Sequence, residues 1–267
     1  MPGPRTSTMS AGTRASFMDG RPSWSSFDAL FKHRERPDVV TPTTKLTAHQ
    51  AFYLFVVHGL CAMAISAIIN FAIAYAMYTT QDLSRNPIRL FQLPNTLAGD
   101  AAVTIIIQCI ITWLIERVFV RHDLHNGGVK PIGFVAEPKG RFPRWFMLLN
   151  EDNNNNTHHD TGPRRNKVRT ALANAARFVA TQAPRAAAFI LASFVLFWPV
   201  SVGVLTTIGR KSGGDWVFDD RWAPQIFKAV LGGALALLTT PLMAAFWMVR
   251  DGWLLSRAQT THAAWVV

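Results

Sequence analysis

Four long stretches without Asp, Glu, Lys or Arg dominate the pattern of apolar and polar positions. They cover residues 46–81, 101–115, 186–209 and 229–249. A helix needs about 20 mostly apolar residues to cross the hydrocarbon core of a bilayer, which is about 30 Å thick. The pattern therefore predicts four transmembrane helices, at about 51–78, 97–120, 186–208 and 227–249.

The order of these spans predicts an all-α polytopic membrane protein with two transmembrane hairpins. We expect a disordered cytoplasmic arm (1–45), a first hairpin (46–120), a basic cytoplasmic loop (121–185), a second hairpin (186–250) and a cytoplasmic tail (251–267). The short connections inside the hairpins would lie on the opposite side. Asn95 or Thr96 is the predicted N-cap of the second span, since both residue types cap helices well.

Composition and charge agree with a membrane protein. Only 16% of the residues are charged, whereas soluble domains carry about 25%. The chain has 27 Lys and Arg against 16 Asp and Glu, a net charge of +11, yet its long apolar stretches argue against a nucleic-acid-binding domain. When the Lys and Arg are grouped by predicted side, 21 fall with the termini and the middle loop and 6 with the short connections. The positive-inside rule therefore places both termini and the middle loop in the cytoplasm.

A basic amphipathic helix is predicted at residues 167–182. Val168, Leu172, Ala175 and Val179 recur on one face of such a helix. The candidate contacts to anionic lipid are the basic residues around this stripe, namely Arg164, Arg165, Lys167, Arg169 and Arg177. Such a helix either lies on the anionic cytoplasmic leaflet or packs on the cytoplasmic ends of the spans, and the two interpretations are compatible.

A polar stripe is predicted along the second span. Its members recur every four residues, and they are Asp100, Thr104, Gln108, Thr112 and Glu116. Polar side chains at this depth seek partners inside the bundle, and the first span offers His58, Ser66 and Asn70. Equal depth in an antiparallel hairpin would pair His58 with Glu116, Ser66 with Gln108 and Asn70 with Thr104. The candidate polar site therefore comprises His58, Asn70 and the five residues of the stripe. It is either a path for a solute, proton or lipid headgroup, or interhelical hydrogen bonding that holds the bundle together.

Enzyme signatures are missing from the sequence. It contains no P-loop, no G-x-S-x-G, no H-E-x-x-H and no C-x-x-C. His122, His125, His158 and His159 are too few, and the last two lie in an Asn-rich insert, so we predict no metal site. We likewise predict no catalytic residue and no cofactor.

Several segments resemble a known family. The runs INFAIAYAMYTT (69–80), LPNTLAGDAAVT (93–104), QCIITWLIE (108–116) and GGVKPIGFV (127–135) resemble an uncharacterised family of fungal integral membrane proteins. The resemblance implies a multi-span protein of the endomembrane system. It assigns no catalytic residue.

The function expected from these observations is non-enzymatic. We expect a scaffold, assembly or organising factor of the endoplasmic reticulum or another endomembrane, whose partners are anionic lipids or a membrane protein and not a nucleic acid. The alternative is a small transporter of a solute, ion or lipid that uses the polar stripe, and a lipid-modifying enzyme comes third. A mitochondrial membrane is the alternative location, because the first 18 residues contain two Arg, several Ser and Thr and no acid.

Overall fold

Helices form most of the described chain, and four of them are long. The computed structural model describes residues 41–80, 82, 85–149 and 167–264. The elements are α1 (Ala48–Thr79), β1 (Ile88–Arg89), α2 (Leu97–His125), α3 (Arg141–Phe146), α4 (Lys167–Ile208), β2 (Arg210–Ser212), β3 (Asp215–Phe218) and α5 (Ala223–Ala264). The long helices α1, α2, α4 and α5 are each apolar enough over enough residues to cross a membrane. The prediction of a mainly helical chain with four such helices is confirmed.

Helix α1 begins with a capping box and contains a long π-helical segment. The side chain of Thr47 accepts a hydrogen bond from the backbone N–H of Gln50, and the side chain of Gln50 accepts one from the backbone N–H of Thr47. Both of these helix-start donors are thus satisfied. From Tyr53 to Cys61 the helix is π-helical before it returns to α-helix at Ala62. A π-helix of this length is rare, and such segments are frequent at functional sites.

Helix α2 begins at the predicted cap. The side chain of Thr96 accepts a hydrogen bond from Gly99 N at 3.2 Å, which identifies Thr96 as the N-cap. The helix then continues to His125, beyond the predicted end at residue 120. Charged residues of its last turns lie outside the most apolar part of the span, where they do not interrupt the helix.

A small antiparallel sheet joins the segment between α1 and α2 to the segment between α4 and α5. The sequence analysis did not predict this sheet. Strand β3 lies in the middle, with Ile88 opposite Phe218 on one side and Lys211 opposite Trp216 on the other. Strands β2 and β3 are joined by Gly213 and Gly214, whose φ angles are +61° and +87°. Two glycines with positive φ are typical of a tight hairpin turn that other residues adopt less readily. We call this part of the molecule the sheet end.

The predicted amphipathic helix is not a separate element. Helix α4 continues without interruption from Lys167 to Ile208 and passes through Pro184 and Pro199. The boundary predicted between residues 185 and 186 therefore falls inside a helix, and the boundary between 250 and 251 falls inside α5. A proline removes one backbone donor, but the chain on both sides of Pro184 favours helix strongly enough for it to continue.

Helix α5 forms the centre of the bundle. The four helices are therefore not arranged as two hairpins in which each helix packs mainly against its own hairpin partner. The backbones of α1 and α2 both approach α5 more closely than they approach one another, and α4 packs mainly against α2. Small residues of α5 permit this approach. A Cβ added to Gly233 would lie 3.3 Å from Ala67 Cβ on α1. On α2, Trp113 packs against Phe246 and Trp247 of α5, with ring centroids 5.0 Å apart in both pairs.

Residues 126–149, which follow α2, dock onto the far end of α5, and we call this region the loop end. Ile132 N donates to Met248 O at 3.2 Å, and Trp253 Nε1 donates to Val135 O at 2.6 Å. The approach requires glycine at position 252, because a Cβ there would lie 1.9 Å from Ile132 O. The residues before α1 join the same structure, since Thr43 N donates to Pro131 O at 3.0 Å.

Some predicted features lie outside the described residues. They are nearly all of the predicted arm (1–45), the Asn-rich insert, and the candidate lipid contacts Arg164 and Arg165.

Candidate functional site

The predicted polar residues lie at three levels along the bundle, between α1, α2 and α5. At the level nearest the loop end, His58 Nδ1 of α1 lies 2.6 Å from Glu116 Oε2 of α2, and each side chain is 5% exposed. This is the pair that equal depth predicted. Tyr53 lies one π-helical turn before His58, with its ring centroid 4.3 Å from the imidazole centroid. The Tyr53 hydroxyl donates to Asp123 Oδ2 at 2.7 Å, so four titratable side chains form one group.

The π-helix explains why Tyr53 and His58 meet. In an α-helix of 3.6 residues per turn, residues five apart point about 140° away from each other. The π-helix closes its hydrogen bonds between residues i and i+5, which brings these two side chains onto the same side. The sequence analysis placed His58 on the correct face but had no signal for the π-helix, and it therefore missed Tyr53 and Asp123.

The middle level is a cluster of neutral polar groups centred on Gly232. The Gly232 carbonyl accepts one hydrogen bond from Ser66 Oγ and one from Gln108 Nε2, both at 2.9 Å. Asn70 Nδ2 donates to Gln108 Oε1 at 3.1 Å. A Cβ on Gly232 would lie 2.2 Å from Asn70 Nδ2, so the absence of a side chain there is what allows the three helices to share these hydrogen bonds.

The pairing at this level follows the prediction in part. Ser66 and Gln108 lie at the same level, since both donate to the Gly232 carbonyl. Asn70 contacts Gln108 instead of Thr104. The physical reason lies in the long Gln108 side chain, whose Nε2 donates to Gly232 while its Oε1 accepts from Asn70.

The third level, nearest the sheet end, is an ion pair. Lys228 Nζ of α5 donates to Asp100 Oδ1 of α2 at 2.5 Å, and the two side chains are 7% and 8% exposed. The sequence analysis counted Lys228 among the basic residues of the second short connection. It did not predict Lys228 as the partner of Asp100. Its position directly before a charge-free stretch was the available signal. The remaining stripe residues differ in burial, since Thr104 is buried and Thr112 is half-buried.

The candidate lipid contacts lie on the first turns of α4. Arg177 is exposed, and so is every residue from Leu172 to Ala180. Leu172 and Val179 of the predicted apolar stripe are 70% and 60% exposed. The side chains of Lys167 and Arg169 lie outside the described residues, although both positions are helical.

Three arginines organise the loop end, namely Arg185, Arg144 and Arg257. Arg185 is 1% exposed and donates to the carbonyls of Trp145, Phe146 and Thr181. It thereby satisfies the last carbonyls of the short helix α3. Arg257 and Arg144 both bind the Glu137 carboxylate. The hydrogen bond from Arg257, and then the charges of Arg257 and Arg144, hold the pKa of Glu137 below its usual value.

Comparison with known proteins identifies similar fungal proteins. A family model described as a protein of unknown function (DUF2456) matches residues 161–248. An uncharacterized protein of Schizosaccharomyces pombe is 35% identical over 184 residues, which is 69% of this chain and 34% of that protein. An uncharacterized protein of Saccharomyces cerevisiae is 28% identical in an alignment of length 248 that covers 75% of this chain and 78% of that protein.

The chain spans about a third of the length of the Schizosaccharomyces pombe relative. No solved structure matches it. The matches support the resemblance to an uncharacterised fungal family that the sequence segments indicated.

Proposed function

We propose that the protein is a multi-pass membrane protein of the endoplasmic reticulum or another endomembrane and acts as a non-enzymatic scaffold, assembly or organising factor. Its termini and its middle segment lie in the cytoplasm, and its partners are anionic lipid and a membrane protein. The loop end would then be cytoplasmic and the sheet end would face the opposite side. The imbalance of Lys and Arg, 21 against 6, supports this orientation.

The exposed start of α4 is the observation that carries the proposal. Residues 172–180 are all exposed, and helical spacing places Leu172 and Val179 on a different face from Arg177. The same helix continues into an apolar span, so this segment is tied rigidly to the membrane-crossing part. Exposed apolar residues beside basic residues suit contact with an anionic surface.

The polar stripe agrees with a structural role. Side chains of the stripe on α2 form hydrogen bonds and ion pairs with residues of α1 and α5. Such contacts hold helices together, with an average of about 0.6 kcal/mol for each hydrogen bond inside a membrane.

The test removes the charge of the start of α4. The variant Lys167→Gln/Arg169→Gln/Arg177→Gln should lose its recovery of partner proteins by proximity labelling and its normal localisation, while protein abundance stays constant. A matched control is Arg85→Gln/Lys211→Gln/Arg221→Gln, which removes three charges from the sheet end and should keep both properties. Unchanged recovery and localisation in the first variant would overturn the proposal.

A transporter-like function is the second candidate, and a separate observation favours it. Ionisable pairs are buried at both ends of the stripe, His58 with Glu116 and Asp100 with Lys228, and ionisable residues at such depth often mark ion or proton paths. Asp100→Asn, Gln108→Leu and Glu116→Gln should then change the cellular phenotype at normal protein levels. If these variants only lower abundance, the stripe is structural.

A further inference from the structure

We propose that the short helix α3 lies partly inside the cytoplasmic leaflet, with the rings of Phe142 and Trp145 among the lipid acyl chains. The neighbouring side chains of Lys139 and Arg141 would contact anionic headgroups. This inference rests on the proposal that the four long helices cross a membrane, and it adds a lipid contact at a second element, apart from the start of α4.

Helix α3 packs against the bundle at the level of the apolar spans. The Phe146 ring meets the Phe246 ring of α5 edge to face, with centroids 5.7 Å apart. Phe246 in turn contacts Trp113 of α2 and Phe189 of α4, with centroids 5.0 and 6.3 Å away. These three residues lie inside charge-free stretches, each within about one helical turn of the boundary. Helix α3 therefore lies beside the apolar ends of three long helices, and not beyond them.

One face of α3 is aromatic and exposed. Phe142 is 70% exposed and Trp145 is 43% exposed. The Phe142 ring lies 5.9 Å from the Trp145 ring and 6.3 Å from the Phe146 ring, measured between centroids. The exposed face is thus continuous with the ring that docks α3 on the bundle. Trp is enriched where headgroups meet acyl chains, and helices in that boundary bury a face of Trp, Phe or Leu about 5–10 Å deep.

The last carbonyls of α3 are satisfied by a buried arginine. Arg185 is 1% exposed and donates to the carbonyl oxygens of Trp145 and Phe146. Its guanidinium also lies over the Trp145 ring, 4.8 Å from the centroid. Water can serve these carbonyls at an ordinary helix end, whereas lipid offers no hydrogen bond. Because Arg185 satisfies both carbonyls, α3 can end at bilayer depth.

The charges around α3 suit an anionic surface. Residues 129–149 contain four basic residues and one acid, Glu137, which is already bound by two arginines. Lys139 and Arg141, at the start of α3, are exposed beside the aromatic face. Basic side chains at the membrane surface are attracted to anionic lipid. This combination of rings and positive charge matches the boundary of an anionic leaflet.

The experiment uses the full-length protein in nanodiscs that contain phosphatidylcholine and phosphatidylserine in equal amounts. A photoreactive benzoylphenylalanine replaces Phe142, and in a second variant Trp145, so that illumination joins the side chain to its neighbours. Mass spectrometry identifies the adducts. We expect phospholipid adducts at both positions, with the new bond on an acyl chain and with more phosphatidylserine than phosphatidylcholine. The excess of phosphatidylserine should be lost when Lys139→Gln/Arg141→Gln is added.

Val195 and Ser212 are the control positions for the same photoreactive residue. Val195 is exposed near the middle of the apolar part of α4, and it should form phospholipid adducts without preference for phosphatidylserine. Ser212 is exposed on β2 at the sheet end and should form none.

The controls separate this inference from the proposal on which it rests. Adducts at Val195 but none at Phe142 and Trp145 would overturn the insertion of α3 and leave the four membrane-crossing helices intact. No adduct at Val195 would overturn both. Equal yields of the two lipids at Phe142 would overturn the contact with anionic headgroups. In cells, an adduct of Phe142 with a protein in place of lipid would assign α3 to a protein partner and overturn the insertion.

Discussion

Single residues decide how closely the helices of this bundle approach. Gly232 shows this most clearly, because its bare Cα lets α5 lie against Asn70 while its carbonyl accepts two hydrogen bonds from the neighbouring helices. In the sequence, Gly232 is only one of several small residues in this part of the chain. Its role as the acceptor at the middle level required the tertiary structure.

Gly232→Ala should lower the stability of the bundle. The added methyl group would overlap Asn70 and force the helices apart, which costs about 1–3 kcal/mol. Thermal unfolding in detergent measures this cost. Gly203→Ala on α4 is the control, because a Cβ there meets nothing within 4 Å, and it should stay within about 1 kcal/mol of wild type. Equal stability of the two variants would show that the close approach at Gly232 is not required.

The buried ion pair gives a second prediction about single residues. Lys228→Met leaves the Asp100 carboxylate buried without its partner, and such a change costs about 3–5 kcal/mol. The double variant Asp100→Asn/Lys228→Met removes both charges and should recover most of this loss. Unfolding of the wild type, both single variants and the double variant gives the interaction energy as a double-mutant cycle. If the double variant is no more stable than Lys228→Met, the result contradicts a stabilising ion pair between Asp100 and Lys228.

Individual elements are stabilised by contacts between residues that lie far apart in the sequence. Residues 126–149 are held at the loop end by Glu137, which binds Arg144 nearby and Arg257 on α5. Arg185 on α4 binds the end of α3. These contacts hold in place a segment that has little hydrophobic periodicity.

The docking of this segment should weaken in acid. Because Arg257 and Arg144 lower the pKa of Glu137 in the folded protein, its carboxylate stabilises the docked state fully above the ordinary glutamate pKa of about 4.3. That stabilisation is lost as the pH falls below this value and through the lowered pKa. Hydrogen exchange of residues 129–137 as a function of pH would measure the change.

Glu137→Gln should raise hydrogen exchange in the same segment at neutral pH. Asp219→Asn removes a carboxylate paired with an arginine, Arg210, at the sheet end, and it should leave residues 129–137 as protected as in wild type. Equal protection in wild type and Glu137→Gln would rule out the proposed role of the carboxylate.

At the scale of the whole molecule, the arrangement of four helices makes a topology prediction. The turn at Gly213 and Gly214 is open, since an added Cβ meets nothing within 4 Å at either residue. A long Gly/Ser loop with an N-x-T acceptor, inserted between these two glycines, should be glycosylated in the endoplasmic reticulum. The chain has an N-x-T sequence of its own, Asn155-Asn156-Thr157, in the middle loop that we predict to be cytoplasmic. It should stay unmodified in the same molecule. Glycosylation at Asn155 alone, detected as a mass shift that an endoglycosidase removes, would reverse the proposed orientation.

Local sequence properties by themselves determined the four long apolar helices, the cap at Thr96, and the His58–Glu116 contact. These features follow from hydropathy, capping chemistry and helical depth, which depend only on residues close in the chain. The tertiary structure alone decided that α5 lies at the centre, that Lys228 pairs with Asp100, and that Tyr53 joins His58. Those features depend on how helices distant in sequence pack, and on a π-helix that changes the direction of the side chains along α1.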